Sequence, residues 1–123
     1  MGLGYFFDSF AIIELIMGNP NYAKYINEEA TLTLFNLVEV YYSAVNNLDE
    51  KKAEEIYSKY KEAVVEVEDI IIKEAMKFRK KYKKNNLSYT DCIGYIYANN
   101  NGLKFLTGDK QFKELENVEF VPK

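Results

Sequence analysis

Histidine is absent from all 123 residues, and with it go imidazole general bases, histidine-based triads and most zinc sites. An enzyme built on this chain must rely on carboxylates. Tryptophan is missing too, so Tyr and Phe supply every aromatic ring. The single cysteine, Cys92, cannot form an internal disulfide. It falls in a helical pattern and reads as a small buried residue in a reducing compartment. No apolar run approaches the length of a membrane span, and the opening Met1-Gly-Leu-Gly turns acidic by Asp8 without the basic start of a secretory leader. The expectation is a soluble cytoplasmic protein without membrane association. Positive charge is also short: 16 Lys and Arg face 19 Asp and Glu, for a formal charge of −3. That balance excludes an overall basic nucleic-acid footprint, although it is compatible with a local basic stripe.

What is present is apolar bulk. Hydrophobic residues make up 48% and aromatics 15%, enough to require a packed core rather than a disordered chain. The length predicts one domain over residues 1–123, large enough to fold without disulfides or a structural metal.

A short apolar run at 3–7 stops abruptly at Asp8-Ser9, the pattern of a buried parallel strand. Residues 9–17 follow with Phe10, Ile13, Ile16 and Met17 at helical spacing, ended by Gly18-Asn19-Pro20. A short helix is expected at 21–27 and a very short second strand at 30–32. Residues 33–46 are apolar almost all round, through Leu34, Phe35, Leu37, Val38, Val40, Tyr41, Ala44 and Val45, which predicts a buried helix rather than an amphipathic one. Residues 48–61, capped by Asp49, form a surface helix with Ala53, Ile56, Tyr57 and Tyr60 on one stripe. A third strand at 64–67 leads to an amphipathic helix at 69–84, basic at Lys73, Lys77, Arg79, Lys80, Lys81, Lys83 and Lys84 and broken by Asn85-Asn86. From Ser88 an apolar helix opens around Asp91 and stops at Gly102. A strand at 103–106 then delivers a turn bearing Asp109, followed by a short helix at 110–115 and a last strand at 118–121. Strands alternating with helices give the α/β class with a mostly parallel sheet.

Asp8, Asp91 and Asp109 each open a helix, and a helix cap or first-turn acid explains any one of them alone. Parallel strands, however, gather their carboxyl-terminal ends and the following helix N-termini on one edge, so that Asp8 and Asp109 become neighbours if their strands pair. Glu39 has no capping explanation. It stands among apolar residues without a Lys or Arg three or four positions away, and an unpaired buried carboxylate costs several kcal/mol. Crowded carboxylates are tolerable when protons or a multivalent cation neutralise them. Mg²⁺ or Mn²⁺ suits hard oxygen ligands, and such a site could activate water against a phosphodiester.

Four stretches in order, Tyr-Phe-Phe-Asp8-Ser9, Asn-Leu-Val-Glu39-Val-Tyr-Tyr, Tyr-Thr-Asp91-Cys-Ile-Gly-Tyr-Ile-Tyr-Ala and Phe-Leu-Thr107-Gly-Asp109-Lys-Gln-Phe112, resemble a PIN domain, the fold of VapC-type toxins. The similarity covers nearly the whole chain. It implies a three-layer α/β/α fold around a central, mostly parallel five-stranded sheet, and a Mg²⁺- or Mn²⁺-dependent endoribonuclease acting on single-stranded RNA. By position, Asp8, Glu39, Asp91 and Asp109 would be the metal-site acids and Thr107 a supporting hydroxyl. A toxin of this kind would have a small antitoxin as partner, and a homodimer is compatible with the resemblance. One departure stands out. Many relatives have Asp-Thr-Asn or Asp-Ser-Asn where this chain has Asp8-Ser9-Phe10, so a polar group beside the first acid is lost.

The alternative is a catalytically decayed PIN-like domain that only binds RNA or protein. A phospho-acceptor receiver domain, which also gathers acids around Mg²⁺, expects paired acids at the first strand and a Lys after the last core strand, and neither is in place. Glu14 reads as a solvated residue rather than an auxiliary acid. The basic stripe reads as the wet face of a helix, with a phosphate track as the sharper alternative. Tyr42, Tyr89, Tyr95 and Tyr97 read as core more than as base-stacking rings.

Overall fold

Phe6 and Phe7 leave the first strand on opposite faces, as successive strand residues must, and that alternation sets the layers. The computed structural model describes residues 4–123. Strand β1 is Tyr5–Phe7; Leu3, where the sequence places its start, lies outside the described residues. Helix α1, Ser9–Ile16, follows at once. A 3₁₀ segment at Pro20–Tyr25 replaces the short helix expected there. Next come β2 at Leu32–Thr33, α2 at Leu34–Asn47 and α3 at Glu50–Lys61, capped by Asp49 as expected. Then β3 is Val64–Val65 and α4 is Asp69–Lys81, with a 3₁₀ turn at Lys83–Asn85. The chain closes with α5 at Tyr89–Asn100, β4 at Lys104–Thr107, a 3₁₀ turn at Lys110–Phe112 and β5 at Val118–Phe120.

All strand pairs are parallel. Strands β1, β4 and β5 form one sheet in the order β1-β4-β5, with Phe7 opposite Leu106 and Thr107 opposite Phe120. Strands β2 and β3 pair separately, Leu32 opposite Val64. The expected five-stranded sheet is thus three strands plus two, linked among the described residues by a backbone bond from Phe7 N–H to Thr31 O at 2.9 Å. Two-residue strands are too short for a longer ladder.

On one face Phe7, Leu106, Ala11, Ile12, Leu37 and Val40 pack together beneath α1 and α2. On the other, Phe6, Phe105, Ile71, Ala75, Ile93, Tyr95 and Phe112 pack beneath α4 and α5. Each Phe or Leu withdrawn from water contributes about 1.5–3 kcal/mol, so these two cores supply the drive that holds the α/β/α layers. Helix α5 lies tight on the sheet. A Cβ at Gly94 would stand 2.6 Å from the Phe6 ring, so only glycine permits the approach.

Helix α2 departs from the sequence reading. Asn36, Leu37, Val40 and Ala44 are buried, but Leu34, Phe35, Val38, Tyr42 and Val45 are exposed, Val38 by 61% and Tyr42 by 71%. An all-round apolar pattern marks a helix that can be covered on every side, and this chain covers only one. Among the described residues no helix is long and apolar enough to cross a membrane.

Candidate functional site

The strand order reverses between β1 and β4, since the chain leaves β1 toward β2 on one side and returns to β4 on the other. Open α/β sheets present their ligand crevice at such a point, beyond the carboxyl ends of the strands. Asp8 follows β1 directly, and Thr107 is the last residue of β4.

Asp8 is 1% exposed. One carboxylate oxygen accepts the Ala11 N–H at 2.7 Å, capping α1, and the other accepts a short hydrogen bond from the Thr107 hydroxyl. Thr107 Oγ1 in turn accepts the Asp109 N–H at 3.0 Å. One hydroxyl therefore ties the first acid to the turn that carries the last. Asp109 caps its own 3₁₀ turn by accepting from Gln111 N–H at 2.9 Å. Between them, Gly108 leaves room for Phe10: a Cβ there would stand 2.2 Å from the Phe10 ring. The residue that replaces the usual polar group thus fills the floor beside the acids with hydrocarbon.

Glu39 is exposed, not buried and unpaired. Helix α2 carries it at the rim, where one carboxylate oxygen accepts the Ser9 hydroxyl at 2.5 Å. Ser9 itself accepts from Asn36 Nδ2 at 3.0 Å, and the Asn36 side-chain oxygen accepts from both the backbone and the hydroxyl of Thr33. A relay of four polar residues runs from the β2 end to Glu39. Ser9, Asn36 and Thr33 were not singled out as site residues. Their signal was the Thr33-x-x-Asn36 spacing, a capping box at the head of an apolar helix.

Asp91 lies in the first turn of α5, half-buried, while Ser88 is the cap and accepts the Asp91 N–H at 3.0 Å. Burial pushes its carboxyl up to about 6, opposed by the Ser88 hydroxyl and assisted by the charges of Asp109 and Glu39. Burial likewise holds the Asp8 carboxyl well above the usual range, with the charges of Asp91 and Asp109 adding to it and the bonds from Thr107 and Ala11 opposing. Neither set of influences contains a Lys or Arg. The charges of Asp91 and Asp109 thus act on Asp8, and those of Asp109 and Glu39 on Asp91, with no Lys or Arg offsetting either shift. All donors are hard oxygens, the chemistry that suits Mg²⁺ or Mn²⁺. As placed, however, no three His, Cys, Asp or Glu side chains among the described residues form a finished ligand set.

Glu14 has a local duty, accepting Asn19 Nδ2 at 2.8 Å to close the turn after α1. The basic stripe divides: Lys73, Lys77, Lys80, Lys81, Lys83 and Lys84 are exposed, whereas Arg79 is half-buried and donates to Leu87 O at 2.8 Å. Of the four tyrosines, Tyr95 is core and Tyr97 packs on Phe6, while Tyr42 and Tyr89 face solvent.

A search of the curated proteins returned no significant match. Solved structures do resemble the chain. One chain of a toxin–antitoxin complex from Klebsiella pneumoniae superposes with a TM-score of 0.76 at 20% identity, covering 94% of this chain and 96% of that one. A protein from Pyrobaculum aerophilum gives 0.68 at 16% identity over 98% and 92%. At these identities the likeness is one of fold. The PIN domain family model matches residues 5–118, nearly the whole sequence, and the chain therefore belongs to the PIN domain family.

Proposed function

We propose that the protein is a Mg²⁺- or Mn²⁺-dependent endoribonuclease that cleaves single-stranded RNA, acting as the toxin of a toxin–antitoxin pair in the cytoplasm. What supports this reading is that Asp8 stands at the β1/β4 reversal, that the charges of Asp91 and Asp109 act on it and those of Asp109 and Glu39 act on Asp91, and that Asp8 and Asp91 are both held above the ordinary carboxylate range. A set of mere helix caps would have no reason to share a crevice and repel one another. Membership of the PIN family supports a nuclease, and the fold shared with a chain of a toxin–antitoxin complex supports a small antitoxin as partner.

Asp8, Glu39, Asp91 and Asp109 are the residues that would hold the cation. When bound, a divalent ion of this kind supplies charge to a phosphodiester oxygen and lowers the pKa of a coordinated water. The chain's own contributions are more specific. The Thr107 hydroxyl fixes one oxygen of Asp8 and the Ala11 N–H fixes the other, so that carboxylate cannot swing. Ser9 steadies the exposed Glu39 by donating its hydroxyl to one carboxylate oxygen. Asp91, titrating at about 6, is mostly ionised at pH 7 and recovers its proton just below that.

The test is cleavage of single-stranded RNA by pure protein with Mg²⁺, Mn²⁺ or EDTA, with Asp8→Asn as control. Metal-dependent cleavage abolished by EDTA and by the substitution supports the reading. Tight RNA binding without cleavage under any metal favours the second reading, a decayed PIN-like domain, for which Phe10 packed on Gly108 is the specific observation.

A further inference from the structure

The exposed aromatic nearest in sequence to the acids is Tyr89, the first residue of α5, whose third residue is Asp91. The residue is 62% exposed, and the Arg79 guanidinium lies 4.4 Å from its ring centroid. That guanidinium is not a wandering surface charge. Arg79 is half-buried and its Nε donates to Leu87 O at 2.8 Å, which pins it in the angle between α4 and α5. One side of the ring is thus backed by a fixed cation and the rest is open to solvent. A flat, immobilised, positively backed ring is the surface on which an unstacked base settles, and stacking of this kind tolerates any base because every base has a π-face.

The surroundings fit a nucleic-acid strand. Immediately before α5, the turn at Lys81, Tyr82, Lys83, Lys84 and Asn85 lines a groove of about 500 Å³. Asn85 Nδ2 donates to Gln111 O at 3.4 Å, tying that lysine-rich turn to the segment headed by Asp109. The same short stretch of chain therefore carries lysines that suit phosphates and a ring that suits a base, and Asp91, two residues on in the first turn of α5, leaves the other side of the same helix end, so a strand reaches it by passing over that end.

We propose that Tyr89, backed by Arg79, is a nucleobase subsite: it takes one unpaired base of single-stranded RNA by stacking, while the Lys81–Asn85 turn takes the flanking phosphates, so that the adjoining phosphodiester is presented to the acids. The proposal rests on the nuclease reading and adds to it how the substrate is held. It requires the base to be flipped free, so a duplex of the same sequence is a poor ligand.

The experiment uses the Asp8→Asn protein, which cannot consume its ligand, and measures binding of a fluorescent single-stranded oligoribonucleotide at fixed salt. Tyr89→Ala weakens binding about tenfold or more, the order that loss of one stacked base produces, and Tyr89→Phe restores it. An oligonucleotide of abasic residues binds the Tyr89→Ala variant as well as it binds the parent. A 2-aminopurine placed along the strand is quenched at one position by the parent and not by Tyr89→Ala. Equal loss for base-bearing and abasic strands, with a lowered melting temperature, would show that Arg79 and Tyr89 merely clamp α4 to α5. Unchanged affinity in Tyr89→Ala overturns the subsite while leaving the nuclease reading intact. A parent that neither binds single-stranded RNA nor, with Asp8 restored, cleaves it removes both.

Discussion

Asp8 and Glu39 belong to one acidic neighbourhood and are held in opposite ways. Asp8 is buried at the sheet, with both oxygens engaged by groups the fold cannot do without: an N-terminal amide of α1 and the last residue of β4. Glu39 stands in solvent on α2, held at one oxygen by a hydroxyl that is itself aimed by Asn36. The inner acid is a by-product of strand pairing. The outer one depends on a relay of side chains that the backbone would survive without. The chemistry proposed for this crevice would thus draw on two kinds of positioning, and substitutions can separate them.

The largest effect should come at the inner position. Asp8→Asn keeps a capping oxygen for α1, because Asn caps about as well as Asp, and removes a charge that burial and two neighbours disfavour. RNA cleavage should fall by more than the roughly 10–100-fold that loss of a supporting group costs, yet the metal-free protein should melt no lower. A variant that melts far lower would make Asp8 a structural acid and erase the contrast.

Thr107→Val should reverse that pattern. It removes the donor to a buried carboxylate and the acceptor for Asp109 N–H together, so stability measured by urea should drop by about 1–3 kcal/mol, with cleavage falling as a consequence. Ser9→Ala addresses the outer acid. Cleavage should fall about tenfold while stability changes by about 1 kcal/mol, the cost of leaving buried Asn36 Nδ2 without its acceptor. Equal cleavage by Ser9→Ala and the parent would mean that Glu39 needs no aiming.

The smallest effect is one of pH. Asp91 titrates at about 6 and Asp8 above its usual range, so between about pH 4 and 6 the folded protein holds protons that the unfolded chain has released. The metal-free protein should therefore gain stability as pH falls through 6, while cleavage, which needs ionised acids, declines over the same interval. Asp91→Asn should flatten the stability trend in a melting series across pH. An unchanged slope would place the raised pKa elsewhere.

These residues also show what a sequence discloses. Asp8, Asp91 and Asp109 were legible because each stands where a strand ends or a helix begins, and parallel strands align those points. Thr107 was legible only through the resemblance of its motif. Glu39 was noticed for a reason that proved mistaken: its apolar neighbours suggested burial, whereas Leu34, Phe35 and Val38 are themselves exposed. Periodicity records which side chains tolerate burial, not whether this chain provides the cover. Ser9 and Asn36 stayed hidden because their relay joins α1 to α2 across 27 positions, and no local pattern encodes such a contact. The β2 and β3 boundaries slipped by a residue or two for a similar reason, since two-residue strands exist only by virtue of each other.

The bond between Thr107 and Asp8 spans 99 positions, and so does the one from the Tyr22 hydroxyl to Val121 O. Val121 N–H also donates to Thr107 O at 2.9 Å, so the last strand region locks the residue that locks Asp8. On a ribosome adding about 5–20 residues per second, roughly 5–20 s separate the synthesis of Asp8 from that of Thr107. Throughout that interval the nascent chain already carries Asp8, and later Glu39 and Asp91, but has no crevice to put them in. A chain that stopped short of Thr107 would lack the hydroxyl that fixes Asp8. On the proposed nuclease reading, the crevice therefore cannot act until residues 107–121 have been made and have folded back beside β1.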